Sequence, residues 1–204
     1  MYTPKHFQMT EAEVNTFIQR HAFATLSLID SGELIQAVVP VLYLEDSDQF
    51  IGHFAGQNGF SEAISSDHMR AVSISIIGAD GYIAAGWYPD NEQVPTWNYE
   101  MVSGKGLIKR LDERADKLKV LEQMTAHFEV QAGSDWTIEK LPEKKREAML
   151  KAIVAFEITA FELEGKAKLS QNKTDEQRRA LIERLPETAE HSLKSRMKAS
   201  LIEN

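Results

Sequence analysis

Cysteine is absent from the 204 residues, which removes disulfides, thiol catalysis and thiolate metal sites in one step. Long apolar runs are missing as well: none approaches the roughly 18 residues of a membrane-spanning helix. The opening MYTPKHFQMTEAEV lacks the basic-then-apolar order of a secretory signal. Together these absences predict a cytoplasmic protein without membrane contact. The six histidines, at 6, 21, 53, 68, 127 and 191, form no HExxH or comparable ligand spacing, so no metal site is indicated. The chain has no GxSxG, no phosphate loop ending in GK[ST] and no GxGxxG fingerprint. SQNK at 170–173 fits SxxK without the SDN or KTG that accompany it in penicillin-binding enzymes, and EDSD at 45–48 lacks the remaining calcium-loop positions. With no tuned acid–base pair in view, no catalytic residue is assigned, and a non-enzymatic role is favoured over catalysis.

Basic charge is scarce overall. A net charge of −8 excludes a protein whose whole surface grips phosphates, because Lys and Arg supply most of that affinity. The deficit is uneven, however. Residues 166–198 hold nine Lys or Arg against five Asp or Glu, whereas residues 1–165 hold fourteen against twenty-five. A basic C-terminal segment thus follows an acidic body. Such charge runs are most often solvent-facing helices, and contact with DNA or a regulatory protein is the functional alternative.

What is present is an ordinary globular composition, 43% hydrophobic and 26% charged, with enough length to bury a core. TEAEVNTFIQRH carries a capping box, Thr10 with Glu13, ahead of Val14, Phe17 and Ile18 on one helical face. FATLSLI, LIQAVVPVLYL and QFIGHF, parted by DSGE and EDSD, read as antiparallel strands with tight turns. Pro40 places an edge or bulge in the second of them. RAVSISIIGADGYIAAGWY reads as a hairpin turning at Asp80-Gly81, and TWNYEMVSGKGLIKR as the next strand. A long helix through DERADKLKVLEQMTAHFEV, a short one at EKKREAML, a closing strand in AIVAFEITAFELEGKAKL and two tail helices, about 174–185 and 187–199, complete the order. At least six strands with few long connections predict a barrel.

Two segments have the character of binding surfaces. GHFAGQNGF runs from a strand into a helix that Asn58 can cap, and Gly52, Gly56 and Gly59 allow close backbone approach; a capped turn or an anion site would both look this way. GWYPDNEQVPTWNYE, residues 86–100, concentrates two of three tryptophans and two of five tyrosines between prolines. Period-two spacing puts Trp97 and Tyr99 on one strand face and Thr96 and Asn98 on the other. So much aromatic area needs a partner: the core, a second subunit or a flat ligand.

YTPKHF, WYPDNEQVPTWNY and LEGKAKLSQNKTDEQRRALIERL together resemble the three signatures of PaiB-like proteins, in the same order and spacing and over nearly the whole chain. The resemblance implies a mainly β, α+β fold with flanking helices: an antiparallel split β-barrel of the FMN-binding type, with a C-terminal helical appendage. It implies a barrel domain over 1–170, including the N-terminal helix, and a basic helical segment over 171–204. It further implies FMN in a groove between two protomers of a homodimer, and a role in negative transcriptional regulation. A flavin-dependent oxidoreductase, as among flavin reductases and pyridoxamine-phosphate oxidases, and a haem-binding split barrel are the alternatives it carries. Matched position by position, the flavin residues implied are His53, Ala55, Gly56, Gln57 and Asn58 in the glycine-rich turn; Trp87, Tyr88, Thr96, Trp97, Asn98 and Tyr99 in the aromatic segment; and Lys168, Ser170, Gln171 and Asn172. The chain departs from the family pattern at Gln36-Ala37, Ala84-Ala85-Gly86, Ala167 and Gly59, which removes polar or aromatic groups that a flavin would meet.

Overall fold

The computed structural model describes residues 1–90, 92–186 and 193–202, of which the side chains of Ala160, Leu193 and Ile202 are left aside. It divides into two compact units, one of residues 22–75 and 104–162 and one of residues 1–21, 76–103 and 163–204. The divisions fall inside three strands, so each unit holds part of β4 (Arg70–Ile83), β5 (Thr96–Leu111) and β6 (Ile153–Lys168).

The first unit is the barrel. To those three strands it adds β1 (Phe23–Asp30), β2 (Glu33–Leu44) and β3 (Gln49–Ala55), and the six described strands close in the order β1-β2-β3-β6-β5-β4. β1–β2, β2–β3 and β3–β6 pair antiparallel. Alternation drives them: Ala24, Leu26 and Leu28 of β1 are buried while their neighbours are not. The turn between β1 and β2 has Ser31 and Gly32 both at positive φ, 49° and 86°, as a tight hairpin turn requires. Pro40 sits at the last pair with β1, opposite Phe23, and β2 joins β3 from Val41 onward. The proline therefore marks the hand-over between two neighbours, where an edge was expected.

Inside the barrel, Phe50, Phe54, Phe156, Ile74, Ile108 and Ile158 are fully buried. Gly52 makes room for Phe156, since a Cβ there would lie 2.4 Å from its ring. Phe54 stacks on Phe156 at 4.6 Å and meets Phe60, in α2 (Gly59–Ala63), at 5.1 Å. α3 (Arg114–Gln131) covers Leu42, Ile51 and Ala155 with Val120 and Met124. Its Leu121 forms a satellite core with Ile138 and with Leu150 of α4 (Glu143–Ala152). The outward face of β1–β2 has no such cover: Phe23, Ile29, Leu34 and Val38 are each more than half exposed, with Thr25, Ser27, Gln36 and Pro40 completing an uncharged face.

The second unit joins the two ends of the chain to the aromatic segment. α1 (Glu11–Arg20) starts on the expected capping box, both halves of which form. β4 runs straight through Asp80-Gly81, correcting the expected hairpin. Gly81 has no positive φ, and the Asp80 carboxylate instead accepts a bond from Trp97 Nε1 at 2.9 Å. α5 (Asp175–Arg184), begun by a second capping box on Thr174 and Gln177, and α6 (Leu193–Ile202) close the unit. Leu181, Ile182, Leu185 and Met197 pack with Ile83, Tyr88 and Leu169 into one apolar core. Of the second tail helix expected over 187–199, residues 187–192 lie outside the described residues.

Candidate functional site

β5 alternates as its sequence predicts. Asn98 and Glu100 point inward and are fully buried, while Trp97 is 51% exposed and Tyr99 half-buried. The Trp97 ring is fixed by its bond to Asp80 and by Tyr82, whose centroid is 6.0 Å away. Beside it, Lys168 Nζ donates to Thr96 Oγ1 and, at 2.8 Å, to the Trp97 carbonyl. Burial holds the Lys168 ammonium below its ordinary pKa, and the like charge of Lys166 adds to the effect while Tyr99 opposes it. Among the described residues only neutral acceptors meet Lys168, so its charge is not compensated. Lys166 Nζ lies 5.3 Å above the Tyr99 ring.

The KLSQN turn is held from within. Ser170 adopts a left-handed φ of 63° and accepts from Asn98 Nδ2 at 2.9 Å. Gln171 spans its own turn, accepting from Leu169 N at 2.7 Å and donating to Ala167 O at 2.6 Å. Asn172 is exposed. Tyr88 is buried against the tail helices with Trp87 packed at its side, and burial raises its phenol above the ordinary range while Ser170 opposes. These two aromatics are therefore engaged by the chain itself.

His53, Ala55, Gly56, Gln57 and Asn58 belong to the barrel unit. Their turn uses much of its own hydrogen-bonding capacity: Gly56 N donates to Ala152 O at 2.7 Å, Asn58 N to Ala55 O at 2.9 Å, and Asn58 Oδ1 caps Phe60 N at 2.9 Å. Burial lowers the pKa of His53, and its Nδ1 has no partner among the described residues. No group of three His, Asp or Glu suited to a metal occurs among the described residues.

Sequence reasoning missed the charged interior of the second unit. Arg196 Nε donates to both oxygens of Glu100, at 3.0 and 2.9 Å. Arg178, almost wholly buried, donates from Nη2 to Ser200 O at 2.9 Å and Ser200 Oγ at 2.8 Å. Of the basic residues that made the tail look like a contact surface, Arg178 is thus internal, and Arg196 is turned onto Glu100 with about a third of its side chain still exposed. The inward alternation of Asn98 and Glu100 was the available signal for an anion needing a partner.

Chemically, the Trp97–Lys168 surface fits a flat anion such as FMN. An exposed indole offers stacking area, and an uncompensated ammonium with a second cation nearby offers a place for negative charge.

The chain matches the family described as "Putative FMN-binding domain" over residues 1–162. It is 32% identical over 190 residues to protease synthase and sporulation protein PAI 2 of Bacillus subtilis, covering 91% of this chain and 89% of that one. Among solved structures it is similar to the FAD and heme binding protein of Mycobacterium smegmatis, with a TM-score of 0.60, 13% identity and coverage of 90% of this chain and 89% of that one. It is also similar to the flavocytochrome Anf3 of Azotobacter vinelandii, with a TM-score of 0.58, 13% identity and coverage of 81% and 72%. At those identities the structural likeness is one of fold.

Proposed function

This chain belongs to the PaiB-like family of FMN-binding split-barrel proteins, and on that premise we propose that it is a flavin-binding homodimer that acts as a negative transcriptional regulator rather than as an enzyme. The observation that carries the flavin reading is Lys168, a partly buried ammonium met only by Thr96 and a main-chain carbonyl, beside the exposed Trp97 ring. Bound FMN supplies a flat redox-active ring and a dianionic phosphate. Trp97 and Tyr99 orient the ring, and Lys168, with Lys166 behind it, holds the negative charge. Lys168→Ala then weakens FMN binding about tenfold or more, the loss of one charge-assisted contact. Quenching of flavin fluorescence on titration reads this directly, and an unchanged curve in the variant overturns the placement.

The uncharged β1–β2 face supports dimerisation. It carries four apolar side chains, each more than half exposed, in two groups on either side of the Ser27–Gln36 pair, and exposed apolar area of this kind marks an interface. Sedimentation at micromolar concentration tests it, and a monomer there removes it.

Regulation through direct DNA contact has weak support, because Arg178 and Arg196 are turned inward. The regulatory reading therefore runs through a partner protein. Anisotropy at about 150 mM salt giving nanomolar affinity for one operator would replace it with direct binding. His53, with an unpartnered Nδ1, favours haem as the second reading. Absorbance spectra after adding FMN or haemin separate the two.

A further inference from the structure

A cavity of about 250 Å³ opens under α1 and includes none of the residues assigned to flavin. Positions 13, 16, 17 and 20 recur at the spacing of one helical face, and that face turns Glu13, Phe17 and Arg20 toward the cavity, whose far side carries Glu100 and Arg196. Gly78 permits this seating: a Cβ there would lie 2.6 Å from the Phe17 ring.

Two cations and two carboxylates line the space, but the carboxylates are committed. Both oxygens of fully buried Glu100 take Arg196 Nε. Glu13 Oε2 accepts from Thr10 N at 2.6 Å and from the Thr10 hydroxyl at 2.8 Å, as part of the helix cap. Arg20, exposed at the cavity rim, has no hydrogen bond or ion pair among the described residues, so its guanidinium is available to a ligand there. Met9, Ala12, Phe17 and Ala167 give the lining an apolar patch, beside the polar Thr16 and His21.

We infer that this cavity is a second ligand site, for a small aliphatic carboxylate held by Arg20. A planar carboxylate matches the guanidinium fork with two parallel hydrogen bonds, and the apolar wall takes a short carbon chain. The volume lies below the roughly 300–1,000 Å³ of pockets for drug-sized molecules, which limits the ligand to a few carbons. Glu13 at the wall disfavours a more highly charged anion such as phosphate. The site stands independently of flavin, and in a regulator it supplies a separate metabolic input.

Calorimetric titration of the full chain with butyrate at low salt tests the site. Saturable binding is expected, weakened about tenfold or more in Arg20→Gln and abolished in Ala12→Leu, which fills the space with a good helix former and leaves every charge in place. FMN titration of both variants should match the parent chain, and circular dichroism should confirm their fold. No saturable binding of butyrate, or an affinity in both variants equal to that of the parent chain, overturns the site. Inorganic phosphate binding as tightly as butyrate overturns the carboxylate assignment.

Discussion

The barrel unit and the unit built from the chain ends are held together by different physics. The interior of the first is aromatic and branched aliphatic, with Phe50, Phe54 and Phe156 at its centre. Of the five buried polar or charged side chains among the described residues, Ser61 lies there, while Asn98, Glu100, Ser170 and Arg178 lie in the second unit. Apolar burial is non-directional and tolerates small shifts. A buried carboxylate gripped by a guanidinium tolerates almost none, because losing the partner leaves an uncompensated charge out of water. The first unit is thus stabilised by bulk, and the second is specified by pairing. Both the exposed aromatic surface and the Arg20 cavity belong to the specified unit.

The contrast breaks most visibly at the two centres. Phe54→Ala should lower unfolding free energy by about 3–5 kcal/mol, through lost transfer and a cavity that its ring neighbours cannot fill. Arg196→Ala should cost about as much, roughly 3–5 kcal/mol, by stranding Glu100. Denaturant titration measures both. The sharper comparison is the joint replacement Glu100→Leu with Arg196→Met, which should recover most of the single-site loss, since swapping a buried pair for apolar groups is often neutral. No apolar second change should recover Phe54→Ala in that way. If the joint replacement is as unstable as Arg196→Ala, the pairing account of the second unit fails.

Smaller effects sit at the edges of each unit. Thr10→Ala removes one half of the α1 capping box and should lower stability by about 1 kcal/mol, read as a shift in the denaturant midpoint with an unchanged slope. The smallest effect is a pH dependence in the barrel. Burial depresses the His53 pKa below its ordinary 6.5, so the unfolded chain binds more protons there than the folded one. Stability from this residue is complete above about pH 6.5 and declines as pH falls from there toward the lowered folded value. The difference in stability between the parent chain and His53→Gln should therefore narrow on acidification across that window.

Much of this could be read from the sequence because it is local. The Thr10 cap, the alternation of β1 and the placement of Trp97 and Asn98 on opposite faces of β5 depend on residues close to each other in the chain. Asp80-Gly81 misled because the hairpin signal describes a preference, and a cross-strand partner, Trp97, recruited the aspartate instead. The Glu100–Arg196 pair could not be read, since its members stand 96 positions apart and an isolated arginine in a basic tail looks like solvent surface. Trp87 and Tyr88 were legible as aromatics in need of cover, but not as residues that the tail helices would cover.

The register of β3 with β6 has a further consequence, for the way the chain comes off the ribosome. Phe50 pairs with Ile158, more than a hundred positions later, so a nascent chain cannot close its barrel until β6 has emerged. Contacts this distant in sequence slow folding, because loop entropy is lost before pairing repays it. For most of its synthesis the protein carries β1–β3 as an open meander with an unpaired β3 edge, beside the apolar outward face of β1–β2. That interval is when aggregation competes hardest. Slowing translation before residue 153 should lower soluble yield, whereas a pause after residue 168 should not.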